Sequence, residues 1–243
     1  MATSTEHYDN HLGRVYSWMI GDFNGLQQEQ EALFRRLQLL PSSAGKAFDL
    51  GAGNGIQSVS LARLGFSVMA LDLNHQLLSE LRENIEGFPV TVIKDDLLNI
   101  SAYAHHTPEL VVCCGDTITH LPSFEYIEQL IQDTYNTLAP GGKLLLTFRD
   151  YSVELKGDAR FIPVRSDKAQ IATCFLEYFS DRVVVTDILH KHIDGKWIQQ
   201  VSSYAKVRVS RETILSALLK VGYVISFNDI VNRMITIIAD KKE

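Results

Sequence analysis

The sequence is poor in cysteine, and its three cysteines form no pattern that indicates a disulfide framework or a metal site. Cys113 and Cys114 are adjacent and cannot easily bridge each other, while Cys174 lies far along the chain. The absence of any CxxC pair removes the commonest thiolate zinc motifs. Because such a pattern is typical of reduced thiols in a reducing compartment, we predict a cytoplasmic protein.

Long apolar runs and blocks of basic residues are also missing. No apolar run reaches the ~18 residues that a membrane-spanning helix needs, and the polar start MATSTEHYDNH lacks the pattern of a signal peptide. The formal net charge of the 243 residues is -6, without any lysine- or arginine-rich block. A large nucleic-acid-binding surface needs concentrated positive charge. We therefore predict that neither a membrane nor a nucleic acid is a partner.

From residue 44 onward, short apolar runs alternate with amphipathic segments. This alternation of strands and helices predicts an α/β fold, in which a parallel sheet carries helices on both faces. Ligands of such sheets bind at the carboxyl ends of the strands. The predicted strands of this sheet are KAFDL, FSVMALD, PVTVIKDD, ELVVCCGD and KLLLTFRD.

The segments on either side of this core have a different character. After residue 150, apolar and polar positions alternate around the turn signal Asp194-Gly195, which predicts an antiparallel meander. The helix pattern that follows begins at a serine cap with Glu212 close behind. We predict one domain, 1–243, made of a helical lid (1–43), a ligand-binding core (44–150), the meander (155–208), and a final helix with two strands (209–243).

The stretch AFDLGAGNGIQ places three glycines, Gly51, Gly53 and Gly55, directly after a predicted strand. The dinucleotide fingerprint G-x-G-x-x-G requires a third glycine where this chain has Ile56. Lys46 is the only cation nearby, so the loop offers little charge for a pyrophosphate. S-adenosylmethionine carries a sulfonium and an ammonium but no phosphate. Small residues would let the backbone approach its methionine part closely.

Acidic residues at the ends of the next strands favour the same ligand. Asp72 ends the second predicted strand, 21 residues after Gly51, a position that suits a carboxylate bound to ribose hydroxyls. Asp95 and Asp96 end the third strand, where a carboxylate could accept the adenine amino group. We therefore predict S-adenosylmethionine as the cofactor, with a nicotinamide dehydrogenase as a weaker alternative.

On these residues the sequence resembles the class I S-adenosylmethionine-dependent methyltransferases. FDLGAGNG resembles their first motif, MALD their ribose-binding strand end, and LAPGGKLLL the entry to their fifth strand. The resemblance covers residues 44–150 and implies a Rossmann-like, seven-stranded fold whose last strand is antiparallel, together with methyl transfer. The predicted cofactor-binding set is Tyr16, Asp49, Gly51, Ala52, Gly53, Gly55, Asp72, Leu73, Asp95, Asp96, Leu97 and Cys114.

Three further stretches, RVYSWMIGD, CCGDTITHLPS and TFRDYS, are similar to glycine N-methyltransferases and related small-molecule enzymes. The likeness implies that Tyr16 covers the cofactor, that Cys114 contacts it through its backbone, and that His120 lines the site. It also places Arg149 at the carboxylate-binding arginine of that family. The predicted substrate-facing residues are His120, Arg149, Asp116 and Tyr151, and the predicted acceptor is a small amine or carboxylate-bearing metabolite.

The chain departs from that family at two positions, because Asp116 and Asp150 stand where it has asparagine. Each substrate-facing residue also has a simpler interpretation. Arg149 could form an ion pair with Asp150, Asp116 could cap its loop, and His120 could be a hydrogen-bonded residue at a helix start. His190 and His192 share one strand face but lack a third ligand, so we predict no metal.

Two other functions and one assembly remain open at this level. A protein methyltransferase could bind a peptide along the edge of the meander, and a cofactor-binding module could lack catalysis. The segment after the fourth strand lacks the prolines of enzymes that methylate exocyclic base amines, which disfavours a nucleic-acid substrate. An exposed meander edge could also pair two chains into a homodimer.

Overall fold

A central seven-stranded sheet organises the chain, whose computed structural model describes residues 2–243. Met1, the first residue of the predicted lid, lies outside the described residues. The strands are β1 (Lys46–Leu50), β2 (Ser67–Asp72), β3 (Val90–Lys94), β4 (Leu110–Cys113), β5 (Lys143–Phe148), and, after a second sheet, β10 (Val224–Val231) and β11 (Met234–Asp240). Their order is β10-β11-β5-β4-β1-β2-β3, and β11 runs antiparallel to both neighbours. The predicted α/β sheet with an antiparallel last strand is confirmed.

Helices cover both faces of this sheet, as its two-sided burial requires. The helices are α1 (Ser4–His7), α2 (Tyr16–Ile20), α3 (Phe23–Arg36), α4 (Ile56–Arg63), α5 (His75–Asn84), α6 (Phe124–Thr137) and α7 (Arg211–Val221). Shorter turns of π and 3-10 helix lie at Tyr8–Leu12, Leu97–His106, Thr117–His120 and Gly157–Arg160. Within residues 2–243, no helix is long and apolar enough to cross a bilayer.

Side chains of β1 alternate between two apolar layers. Phe48 and Leu50 are buried on the face that α6 and α7 cover, whereas Ala47 packs in the cluster that contains Phe34 and Leu61 of α3 and α4. This period-two alternation within a strand that is buried on both faces explains its nearly continuous apolar sequence. The sheet is thereby fixed at the centre, and the carboxyl ends of β1 to β4 point to one edge.

A second sheet follows β5. It contains β6 (Phe161–Ser166), β7 (Gln170–Tyr178), β8 (Arg182–Ile193) and β9 (Lys196–Val207), paired antiparallel in that order. The hairpin between β8 and β9 turns at Asp194 and Gly195, both with positive φ, as the turn signal predicted. The sequence pattern did not indicate β6, since Pro163 and a register shift interrupt its alternation.

The predicted lid divides into two parts with different roles. Helix α3 packs beside α4, and its Phe34 is fully buried in the core, so this helix is a layer of the fold rather than a cover. Residues 2–20, called the lid segment below, contact the second sheet and the loop that follows β2. At the other end of the chain, Ser210 caps α7 as expected, but its capping-box partner is Thr213 and not Glu212.

Glu109, which precedes β4, fastens the loop that leads into β1. Its carboxylate accepts hydrogen bonds from the backbone amides of Ser42 (3.2 Å), Ser43 (2.7 Å) and Gly45 (2.9 Å), and from both serine hydroxyls. Burial alone raises the pKa of this carboxyl, but these hydrogen bonds outweigh burial and hold its pKa below the usual 4.5. The ionised form of Glu109 therefore stabilises the folded chain.

Replacing Glu109 with glutamine is expected to lower the free energy of unfolding by about 1–3 kcal/mol, because the amide nitrogen cannot accept from these donors. A group with a lowered pKa contributes stability above its unfolded pKa and loses it as the pH falls through the folded pKa. The loss should therefore be largest near neutral pH and shrink below about pH 4.5. Urea unfolding at pH 7 and pH 4 measures both effects. Glu128→Gln, in an exposed pair with Lys220, should change stability little at either pH.

Candidate active site

A cavity of about 840 Å³ opens at the carboxyl ends of β1, β2, β3 and β4. Each strand delivers a loop to its wall, because parallel strands end at the same edge of the sheet. The residues contributed by these loops include Gly51, Ala52, Gly53, Asn54, Asp72, Leu73, Asn74, Asp95, Asp96, Leu97, Cys114, Gly115 and Thr117. Most of the predicted cofactor-binding set is thus brought together around one space.

The glycine loop after β1 is held against the end of β2. The amides of Gly51 and Ala52 both donate to the carbonyl of Leu71 at 2.9 Å. Gly51 has φ +72°, and a Cβ there would collide with the side chain of Thr117. Gly53 has φ +55°, and the atom nearest to an added Cβ is Cε1 of Tyr16, 4.0 Å away. A side chain at position 53 would enter the space between the loop and Tyr16, so glycine keeps this space open.

Asp72 lies at the end of β2 and faces the same space. Its carboxylate accepts the amides of Gly53 and Asn74, each at 2.8 Å, through different oxygens. Burial raises the pKa of this carboxyl, and the hydrogen bonds from the two amides oppose the rise. Because each carboxylate oxygen has a further lone pair, Asp72 can still accept hydroxyl donors from the cavity.

The two acidic residues after β3, Asp95 and Asp96, have different hydrogen-bond partners. The carboxylate of Asp95 accepts from Asn99 and from the hydroxyl of Tyr103, each at 2.7 Å, and the side-chain hydrogen bonds hold its pKa below the usual value. Asp96 caps the following 3-10 helix by accepting the amide of Leu98 at 2.9 Å. Both residues line the cavity, so an adenine ring would lie against a pre-formed, negatively charged rim.

Two residues of the predicted cofactor set lie behind the wall rather than on it. Asp49 is almost completely buried, and it accepts the hydroxyl of Ser58 at 2.6 Å. Burial raises the pKa of Asp49 to about 7. Gly55 precedes α4, where a Cβ would lie 3.0 Å from the side chain of Leu81. The structure therefore gives these two positions a supporting place beneath the glycine loop.

The lid segment contributes Tyr8, Asp9 and Tyr16 to the cavity wall and is held by side-chain contacts on two sides. On one side, Asp9 accepts from the side-chain amide of Asn74 at 2.8 Å. On the other, His7 contacts Asp187 through Nε2 at 2.9 Å and Ser202 through Nδ1 at 2.8 Å. His7 has no solvent exposure. Tyr8 and Tyr16 line the cavity with rings whose centroids are 6.2 Å apart, which agrees with the predicted covering position of Tyr16.

His120 stands on the cavity wall at the end of the Thr117–His120 turn. Its ring stacks on Tyr204, with centroids 5.4 Å apart, and meets the edge of Tyr8 at 5.6 Å. Its buried Nδ1 has no hydrogen-bond partner anywhere in residues 2–243. Burial, reinforced by the charge of Lys206, lowers the pKa of His120 well below 6.5. The imidazole is therefore neutral at pH 7, and its ring forms part of the cavity wall.

Asp116, predicted to face substrate, is instead enclosed by protein donors. Its carboxylate accepts the amide of Arg149 (2.9 Å), the hydroxyl of Tyr151 (2.8 Å) and the ammonium of Lys206 (2.6 Å). Neither Asp116 nor Tyr151 belongs to the cavity wall, and the side chain of Arg149 is exposed outside it. Of the four predicted substrate-facing side chains, the structure brings only His120 to the cavity.

Lys206 is the residue that sequence reasoning missed. It lies on β9, is 8% exposed, and lines the cavity. Burial alone would lower its pKa, but the Asp116 carboxylate outweighs burial and raises it, so the ammonium stays charged. The signal available in the sequence was slight: in the meander stretch SSYAKVRV, Lys206 shares a strand face with Tyr204. Only the packing of β9 against His120 makes that face the wall of a site.

The two histidines that share the face of β8 are directed to other partners. His190 is 3.2 Å from the side chain of Gln199, and the ring of His192 lies 5.1 Å from that of Trp197. In the part of the chain that the structure describes, no three histidine, cysteine or acidic side chains are grouped so as to hold a metal ion.

Comparison with known proteins agrees with this geometry. Residues 47–142 match the family model described as a methyltransferase domain. The chain is 26% identical over 157 residues to a glycine/sarcosine N-methyltransferase of Aphanothece halophytica, covering 62% of this chain and 58% of that protein. It is 29% identical over 126 residues to the ubiquinone biosynthesis O-methyltransferase of Proteus mirabilis, covering 51% and 46%. The matches thus span about half the length of these curated relatives.

Solved structures resemble the chain along its whole length. The CcbJ methyltransferase of Streptomyces caelestis superposes with a TM-score of 0.79, covering 97% of this chain and 98% of that one at 15% identity. An amino pentose methyltransferase of Micromonospora echinaspora gives a TM-score of 0.77 at 15% identity, covering 96% and 97%. At this identity the likeness concerns the fold, including the second antiparallel sheet.

The seven-stranded sheet and the glycine loop have the arrangement of the class I S-adenosylmethionine-dependent methyltransferase fold, and residues 47–142 match a methyltransferase domain. S-adenosylmethionine is the cofactor of this family, and the residues present fit it. The open backbone at Gly53 leaves room for the methionine part, and Asp72 retains lone pairs for ribose hydroxyls. Bound there, S-adenosylmethionine supplies an electrophilic methyl group.

Proposed function

We propose that the protein methylates a small-molecule acceptor whose nucleophilic nitrogen or oxygen binds beside His120. The observation that carries the proposal is the neutral imidazole of His120, which lines the cavity that also contains the glycine loop. A neutral imidazole has one ring nitrogen that accepts a hydrogen bond, and a donor group of a ligand in the cavity satisfies it. The acceptor group therefore carries an N–H or an O–H.

The reaction needs orientation more than a strong base. Methyl transfer is an in-line displacement, in which the nucleophile lies about 3–3.5 Å from the methyl carbon. As the new bond to the methyl carbon forms and the carbon–sulfur bond breaks, the acceptor loses its proton, and the neutral imidazole of His120 can receive that proton. Tyr204 and Tyr8 fix the ring by stacking and edge contacts, so its nitrogen is pre-positioned.

The size and closure of the cavity favour a small acceptor over a macromolecule. A volume of about 840 Å³ lies within the range of small-molecule sites, and the lid segment forms part of its wall. Names of relatives point the same way: the matched proteins include glycine/sarcosine N-methyltransferases, and the structural neighbours include an amino pentose methyltransferase. We infer an amine or hydroxyl acceptor of metabolite size, and we retain Arg149, Asp116 and Tyr151 as positioning residues behind the wall.

The direct test is transfer of a labelled methyl group from S-adenosylmethionine into a cell extract separated by size. We expect label in the small-molecule fraction and its loss when His120 is replaced by phenylalanine. Label in the macromolecular fraction alone would instead indicate a protein methyltransferase, and binding without any transfer would indicate a non-catalytic module.

Binding itself is checked by thermal unfolding with S-adenosylhomocysteine or NAD. At 100 times its Kd, a ligand stabilises the folded state by about 2.7 kcal/mol, which raises the Tm of a chain of this size by about 5–10 °C. We expect that rise with S-adenosylhomocysteine and none with NAD. A rise with NAD alone would contradict the assignment of the cofactor site.

A further inference from the structure

Lys206 has more hydrogen-bonding capacity than the protein uses. An ammonium has three donors, and Asp116 is the one hydrogen-bond acceptor that residues 2–243 offer it, at 2.6 Å. Its other neighbours are the ring faces of Tyr151 and Tyr204, with centroids 5.8 and 5.9 Å from Nζ. The side chain is nine-tenths buried and lines the cavity. A buried cation with unused donors requires an acceptor from the ligand to be fully satisfied.

The other cationic side chains of the cavity wall either bond to protein groups or face solvent. The guanidinium of Arg208 donates to the carbonyls of Tyr151, Phe179 and Ser152 and pairs with Glu154 at 3.0 Å. Arg182 is exposed, and its guanidinium lies over the ring of Phe179 in the turn between β7 and β8. Lys206 is therefore the buried cation that remains available to a ligand in the described cavity.

Lys206 also lies close to the proposed point of reaction. The ring of Tyr204 separates it from His120, because this ring is 5.4 Å from the His120 ring and 5.9 Å from Nζ of Lys206. Because both residues line the cavity, a ligand there can meet the imidazole of His120 with one group and Nζ of Lys206 with another. His120 offers a hydrogen-bond acceptor and Lys206 offers donors. A complementary ligand therefore carries a donor group at one end and an acceptor group at the other.

We propose that Lys206 binds a carboxylate of the methyl acceptor, so that the substrate is a small amino or hydroxy acid. This assignment rests on the proposed methyltransferase function and adds the class of its substrate. A ligand group with one negative charge suits Lys206, because its ammonium is already paired with the carboxylate of Asp116. A phosphate carries about -1.5 to -2 charges at pH 7 and would face Asp72, Asp95 and Asp96 with too little compensation.

The test compares each carboxylate-bearing acceptor with its primary amide, which keeps the shape but removes the charge. A charged hydrogen bond contributes about 1.5–3 kcal/mol, so kcat/KM of the wild-type protein should favour the carboxylate by about 10–100-fold. In Lys206→Met this preference should fall to near one, mainly through a higher KM for the carboxylate. Lys220→Met, the same change at an exposed lysine on α7 that pairs with Glu128, should keep the wild-type preference.

Removing Lys206 alone leaves the buried Asp116 without its counter-ion and could unfold the chain. The double variant Lys206→Met with Asp116→Asn removes both charges, and a retained Tm rise with S-adenosylhomocysteine reports that it is folded. Arg149→Met is the competing variant, since the family resemblance assigns the carboxylate to that residue.

Each result has a definite meaning. An unchanged preference in the folded Lys206 variants, or a preference lost only in Arg149→Met, would overturn the assignment to Lys206. Transfer to amides and carboxylates with equal efficiency in the wild type would overturn the carboxylate while leaving the methyltransferase function intact. Absence of transfer to every small acceptor, despite binding of S-adenosylhomocysteine, would overturn the proposed function itself.

Discussion

Replacing His120 with phenylalanine is expected to lower kcat by about 10²–10⁴-fold, the usual contribution of a general base, with little change in the affinity for S-adenosylhomocysteine. Phenylalanine can preserve the stacking on Tyr204 but removes both nitrogens of the ring that lines the cavity. His120→Asn should recover part of the activity, since its carbonyl can accept a hydrogen bond but not a proton. Single-turnover methyl transfer measures the chemical step directly.

The pH profile gives an independent check of this role. His120 accepts a proton only when neutral, so its contribution is present above its pKa and lost as the pH falls through that pKa. Because the pKa is held well below 6.5, kcat should stay level as the pH falls to 6.5 and decline only at more acidic values. His192→Phe, at an exposed position of β8, should show the wild-type profile. A folded His120→Phe protein with wild-type kcat would rule out the histidine as proton acceptor.

Replacing Asp72 with asparagine is expected to raise the Kd for S-adenosylhomocysteine by about 10–100-fold. Loss of charge-assisted hydrogen bonds to ribose hydroxyls costs about 1.5–3 kcal/mol, and each 1.4 kcal/mol corresponds to a tenfold change in Kd. The substitution also weakens a hydrogen bond that holds the glycine loop, because the amide of Gly53 donates to Asp72 at 2.8 Å. Isothermal titration calorimetry measures the affinity.

Two controls separate ligand binding from folding in this experiment. Asp229→Asn alters an exposed acid of β10 and should leave the Kd unchanged. Urea unfolding of the ligand-free Asp72→Asn protein shows how much of the loss arises from the loop alone. An unchanged Kd in a folded variant would contradict the assignment of Asp72 to the ribose.

The sequence predicted the parts of the molecule whose interactions are local. The glycine loop and Asp72 follow directly from where strands end, because parallel strands bring their carboxyl ends together. Turn chemistry located the β8–β9 hairpin, since Asp194 and Gly195 both tolerate positive φ. Strand β6 was not predicted, because Pro163 interrupts the alternation of apolar and polar residues by which strands are recognised.

The acceptor side of the site could not be predicted in the same way, since it depends on contacts between distant segments. Whether Asp116 faces a ligand or the protein is decided by Lys206, ninety positions later in the chain. Family likeness placed Arg149 at a strand end correctly, yet strand position does not fix where a long side chain points. The family likeness predicted that His120 lines the site, and its turn follows β4 directly, whereas its neighbour Tyr204 belongs to another sheet.

The attachment of the lid segment also constrains the order in which the protein can assemble. His7 meets Asp187 and Ser202 across 180 and 195 positions of sequence, and contacts of such separation form late because the entropy of closing the intervening chain must be overcome first. β8 and β9 must pair before both partners of His7 are in place. The glycine loop and Asp72 can therefore form while the cavity is still open, and the enclosed site is completed only when the second sheet has folded.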